Sequence, residues 1–231
     1  MNKLTSQQIN ILKYLAIFTM LLDHIARIML DHNLALIMIG RVSFIIFAFV
    51  LAYNYIYNTS NKLNYIKRLF IFGLISQPFY MFSFNLTTLN IFITLALGLL
   101  IIYLSEQKVK KTPKANQTLI IIGLSSLFIF AADFINYSFL GIMLIGLIYC
   151  FLKNSNAKNL SLLLIATFLV NFITVAQYPE NIILSVSGLV SYLIIMLVCK
   201  TNINYKVYAN KWLFFAFYPL HMIILKLITL I

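Results

Sequence analysis

The chain is a succession of apolar stretches, many of them about 17–22 residues long, divided by short polar breaks. A helix of that length spans the roughly 30 Å hydrocarbon core of a bilayer. The stretches fall near 9–30, 42–57, 64–82, 89–104, 118–133, 138–152, 160–176, 182–199 and 211–231. Residues 34–40 leave room for a short half-helix, so eight to ten spans fit the pattern. The expected fold is all-α: a polytopic integral membrane helical bundle of about nine transmembrane helices. With 62% hydrophobic and only 10% charged residues, the 231-residue chain has too few charges to coat a soluble protein of its size. The longest polar gap, Ser105 to Gln117, reads as a loop. No soluble domain is left over, and residues 1–231 are expected to form a single transmembrane domain.

The net charge of +12 would suit a nucleic-acid binder, but its distribution does not. The cations form no single stripe. They are dealt to alternate loops, around Lys62–Arg68, Lys108–Lys114, Lys153–Lys158 and Lys200–Lys211, while the intervening loops are neutral or acidic. That alternation is the positive-inside pattern. It places the N-terminus in the cytoplasm, the C-terminus outside, and the chain as a multi-pass protein of the inner (plasma) membrane. The first apolar run has no strong basic region before it and no small-residue cleavage site, so it reads as a retained helix. Cys150 and Cys199 fall at cytoplasmic helix ends, where free thiols are expected.

The first run, "LKYLAIFTMLLDHIARIML" from Leu12 to Leu30, carries Asp23, His24 and Arg27 within two turns. Ionisable side chains inside a membrane are costly, and they usually face a cavity or pathway. Asp23 and Arg27 have the i, i+4 spacing of a structural ion pair. An ion pair does not need the adjacent imidazole, whereas proton transfer near neutral pH does. With the orientation above, Asp23, His24, Arg27, Arg41, Gln77, Asn90 and Asp133 all fall in the outer part of the membrane, on five different spans. His221 lies near mid-membrane, two residues after Pro219. Lys13, Lys67 and Arg68 lie on the inner side. Lys13 and His24 are eleven residues apart, about three turns and ~16 Å of rise, so they share a helix face. With fourteen lysines to three arginines, each arginine is the more informative.

Six stretches, in this order, resemble the TraX family of integral membrane proteins: "LKYLAIFTMLLDHIARIM", "IGRVSFIIFAFVLAYNY", "YIKRLFIFGLISQPF", "LNIFITLALG", "DFINYSFLGIMLIGLIY" and "FYPLHMIIL". They cover nearly the whole chain. The Asp-His of the first span and the Phe-Tyr-Pro-Leu-His near the end are the most specific. The family tends to carry a proline in the second span, where this chain reads "SFIIFAF". The resemblance implies pilin N-acetylation and a distant relation to multi-span acyltransferases that O-acetylate surface polysaccharides. In those, an arginine precedes the first-span histidine by eleven positions. The matching residues here are Lys13 and His24.

The function so implied is transfer of an acetyl group from cytoplasmic acetyl-coenzyme A to an acceptor on the outer side of the inner membrane. The acceptor would be a pilin amine or an envelope glycan hydroxyl. His24 is the expected base, with Asp23 beside it as a second catalytic residue. Arg27, Arg41, Asn90, Asp133 and His221 are candidates for the oxyanion or acceptor site. Lys13, Lys67 and Arg68 are candidates for the coenzyme A phosphates. No metal and no nucleic acid are expected. Alternatives from other classes are a proton-coupled transporter and a non-catalytic subunit of pilus or envelope assembly.

Overall fold

The structure, a computed structural model, describes residues 3–109, 134–203, 205–208 and 210–231. The described residues form helices α1 (Ser6–Ile28), α2 (Leu34–Tyr57), α3 (Lys62–Phe84) and α4 (Ile91–Val109). These are followed by α5 (Ser138–Lys153), α6 (Ala157–Thr174), α7 (Asn181–Ser187), α8 (Val190–Lys200) and α9 (Lys211–Ile228). No strand occurs among the described residues, only an isolated backbone pairing of Leu89 with Ile135. The protein is a helical bundle. Four of its segments are long and apolar enough to cross a membrane: α1, α2, α6, and α7 with α8 taken together. Shorter apolar helices accompany them in α4, α5 and α9. The count of nine spans is not established, because the expected span 118–133 lies outside the described residues.

Asparagine punctuates the chain. The side-chain oxygens of Asn33, Asn61 and Asn156 accept the N–H three residues on, at 3.3, 2.9 and 2.8 Å. Those of Asn90 and Asn210 accept the N–H two residues on, both at 3.0 Å. Each satisfies a backbone donor that the first helical turn leaves unpaired. Helix α1 instead starts with a capping box, in which Thr5 and Gln8 each receive the other's backbone N–H.

Three expectations change. Residues 34–40 are not a separate half-helix but the first turns of α2, started by the Asn33 cap after the left-handed residues Asp31 and His32. The polar gap is shorter than expected, because α4 continues to Val109. There Glu106 binds Lys62 at 2.8 Å and accepts the hydroxyls of Tyr55 and Tyr149, which joins α2, α3, α4 and α5. The apolar stretch 182–199 is broken at Gly188, where the side chain of Asn171 packs so closely that a Cβ would lie 2.9 Å from its Cγ.

The loops sort into two ends. At one end Gln8 donates to the carbonyls of Val198, Cys199 and Thr201, Asn10 donates to that of Val207, and Tyr57 donates to that of Leu152. Lys62, Lys153, Lys158, Lys200 and Lys206 belong to this basic end. At the far end Tyr178 meets His32 at 2.7 Å, and Leu89 bonds through its backbone to Phe134 and Asn136. The far-end turns hold Asp31 and Glu180 but, among the described residues, no lysine or arginine.

Helices α1 and α2 approach closely because small residues meet there. Ala16 and Ala26 are fully buried, and Ser43 donates to the Ala16 carbonyl at 2.9 Å. A Cβ on Gly40 would lie 2.7 Å from Oδ1 of Asp23, so only glycine lets α2 pass this point. Small residues at crossings are how helices pack where water supplies no driving force.

Candidate functional site

The site begins on one face of α1. Lys13, His24 and Arg27 all line a single cavity of about 920 Å³. Its basic-end lining includes Arg68 and the α2–α3 loop residues Asn58–Asn61. Its middle is apolar, with Phe47, Leu51, Leu69, Leu95 and Phe215. Its far-end lining includes Asp23, Arg41, Thr88, Asn136 and Gln177. The cavity therefore runs from the basic end of the bundle to the polar cluster near the other.

His24 is held by His221 of α9, which is itself buried. Nδ1 of His24 lies 2.6 Å from Nε2 of His221, and the rings stack with an interplanar angle of 8°. Nδ1 of His221 lies 2.6 Å from the carbonyl oxygen of Phe217. A carbonyl can only accept, so this nitrogen carries the proton. In a neutral His221 the Nε2 is then a bare acceptor, and His24 must donate to it from Nδ1. A neutral His24 is left with an unprotonated Nε2. That is the tautomer a base requires, and it is set by a backbone carbonyl through two rings. The ring of Phe84 meets His24 edge-on at 5.0 Å between centroids, and Phe217 stacks on His221 at 4.6 Å.

Asp23 is engaged elsewhere. Its Oδ2 accepts from Nε of Arg27 at 2.9 Å, the i, i+4 pair legible in the sequence. Its Oδ1 accepts from a terminal nitrogen of Arg41 at 2.6 Å. Arg41 is almost wholly buried and also donates to the hydroxyl of Thr174 at 3.3 Å, while its Nε has no partner. The bonds seen on Asp23 thus lead to arginines, and the bond that fixes the His24 ring leads to His221. Two guanidiniums share one carboxylate. Among the described residues the cluster keeps a unit of positive charge.

The remaining candidates are placed as follows. Asn90 does not line the cavity. Its amide donates to the Gly73 carbonyl at 2.7 Å and to Gln77 at 2.9 Å, joining α4 to α3 one turn from Pro78. That full set of bonds gives Asn90 the part of a helix joint. Lys13 lies 5.3 Å from the centre of the Phe214 ring, and Arg68 lies over the Trp212 ring at 5.9 Å. Both face the cavity. Lys67 is exposed and does not line it. Asp133 lies outside the described residues. The structure adds a polar group the sequence did not single out. The hydroxyl of Tyr80 meets Thr88 and Asn136, both at 3.2 Å, on the cavity wall. One tyrosine among fourteen carried no signal that would have picked it out.

The TraX protein family model matches residues 8–229 of the chain. The chain belongs to the TraX family. The TraX match runs through both histidines of the stacked pair and through every helix that lines the cavity, so the site is built from family sequence and not from an appendage. It also agrees with the membrane character of the bundle. No curated protein and no solved structure matches the chain.

Proposed function

We propose that the protein is a membrane-bound acetyltransferase that takes acetyl-coenzyme A from the cytoplasm and acetylates an acceptor on the outer side of the inner membrane. The observation that carries this reading is the single cavity joining the cations of the basic end to the His24–His221 pair. Basic loops favour the cytoplasmic side, so the basic end is where a cytoplasmic donor enters. Lys13 and Arg68 hold the phosphates of coenzyme A, and the pantetheine arm follows the apolar middle toward His24. An acceptor amine or hydroxyl enters from the far end. It attacks the thioester carbonyl, and Nε2 of His24 removes its proton. A C–N or C–O bond forms as the C–S bond breaks. The proton returns from His24 to the departing thiolate, giving acetylated acceptor and free coenzyme A. Arg27, facing the same cavity three residues beyond His24, is placed to hold the acceptor. The acceptor is a pilin amine, as the family suggests, or a glycan hydroxyl.

The test uses purified protein in nanodiscs supplied with acetyl-coenzyme A and envelope extract. Thiol release and acetylated product are measured for the parent and for His24→Ala. The parent should turn over, and the variant should fold but lose transfer. Absence of acetyl-coenzyme A binding by the parent would instead point to a proton-coupled transporter or an assembly subunit.

A further inference from the structure

The charges on the cavity wall do not balance. Among the described lining residues there are four cations, Lys13, Arg27, Arg41 and Arg68, and one carboxylate, Asp23. Lys13 and Arg68 belong to the basic end, where the donor's phosphates would neutralise them. At the far end Arg27 and Arg41 share Asp23, which among the described residues leaves one positive charge uncompensated. Such a charge is expensive unless something pairs with it.

The two arginines are not equivalent. Arg41 is sealed in, with a side chain only 3% exposed, and serves to hold Asp23 and Thr174. Arg27 spends only Nε on Asp23. Its two terminal nitrogens have no hydrogen-bond partner among the described residues, and its side chain, 17% exposed, lines the cavity. A guanidinium so placed is a planar fork with two unengaged prongs, on a side chain that lines the cavity. That geometry matches the paired oxygens of a phosphate or a carboxylate.

Arg27 also has a fixed relation to His24. It is three residues further along α1, on the same face and about 4.5 Å farther from the basic end. From the structure we infer that the acceptor carries an oxyanion, a phosphate or a carboxylate, about one helical turn from the amine or hydroxyl that is acetylated. The anion docks on the terminal nitrogens of Arg27, and the nucleophile then lies against Nε2 of His24. The resting charge argues for an anion bound with the substrate. A charge that exists only in the transition state would leave the cluster unpaired for most of the cycle. This inference names the acceptor class of the acetyl transfer proposed above and rests on that reading.

Three primary amines of similar size separate the cases: ethanolamine, O-phosphoethanolamine and β-alanine. Their binding to the full chain in nanodiscs is measured by calorimetry without acetyl-coenzyme A, and their acetylation is measured with it. At least one anion-bearing amine should bind ~10-fold or more tightly than ethanolamine, the usual advantage of a charge-assisted pair. Preference for O-phosphoethanolamine alone assigns a phosphate, for β-alanine alone a carboxylate, and for both the shared oxyanion. Arg27→Gln should bring the ratio to about one, and Arg27→Lys should keep part of it. Equal binding of all three amines, or a preference that survives Arg27→Gln, overturns the inference. If the preference holds and no amine is acetylated, the anion site stands and acetyl transfer falls.

Discussion

His24 and His221 are 197 residues apart in the chain and 2.6 Å apart in the bundle, with their rings nearly parallel. Only one of the two faces the cavity. The other stands behind it and passes on a constraint from the Phe217 carbonyl. In the proposed transfer His24 is the base and His221 a positioning residue, so the two should respond differently to substitution.

Replacing His24 by alanine should reduce acetyl transfer by about 10²–10⁴-fold per folded molecule, the usual worth of a positioned base. Acetyl-coenzyme A binding should persist, because Lys13 and Arg68 are untouched. His221→Ala should cost less, on the order of tenfold, since Nε2 of His24 survives but its tautomer is no longer enforced. His221→Gln keeps an acceptor in reach and should recover part of the loss. Single-turnover rates on nanodisc samples measure this. A well-folded His24→Ala protein with normal rates removes the base.

The cations of the basic end separate by their facing. Lys13→Gln and Arg68→Gln should each raise the apparent KM for acetyl-coenzyme A more than they lower kcat, because they remove ground-state contacts to phosphate. Lys67→Gln should leave KM within about twofold, since Lys67 is exposed away from the cavity. The KM values of the three variants, taken side by side, check the assignment.

Asp23→Asn should damage folding before it damages chemistry. Removing the shared carboxylate strands two guanidiniums, and breaking a buried pair costs about 3–5 kcal/mol. The expected result is poor yield and early thermal unfolding in detergent. Pairing the change with Arg41→Gln removes one stranded charge and should restore part of the stability, a coupling that a double-mutant cycle reads directly.

Gly40→Ala tests the crossing of α1 and α2. The added methyl meets the side chain of Asp23, whose position two ion pairs already fix. Overpacking of this kind costs about 1–3 kcal/mol. The variant should unfold at lower temperature and bind acetyl-coenzyme A normally once folded. A change of melting temperature within error would mean that the crossing can relax.

Much of the bundle was readable from the chain. Helices lie at eight of the nine expected stretches, the basic loops among the described residues gather at one end, and the Asp23–Arg27 spacing forms the pair it suggested. The three-turn register also held: Lys13 and His24 line one cavity. What could not be read was rotation about each helix axis. Asn90 was expected at the depth of His24 but bonds to α3, and depth alone says nothing about facing. Lys67 and Arg68 are adjacent, yet neighbours on a helix point about 100° apart, so one lines the cavity and the other does not. The partners of Asp23 and His24 were hidden for a different reason. Arg41 and His221 reach them across helix interfaces, and spacing along one helix cannot reveal a bond to another.

The Asp23–Arg41 bond also bears on how the chain is made. Both residues, and the Gly40 that lets them meet, lie in the first helical hairpin, which is complete by Tyr57. During synthesis that hairpin can enter lipid with its acid already matched to a base, so neither charge has to cross the bilayer interior alone. His221 arrives with the last helix. A nascent chain halted before α9 would hold its ion pair but not its histidine pair. Biogenesis thus leaves the His24 imidazole without the partner that fixes its tautomer until α9 has packed.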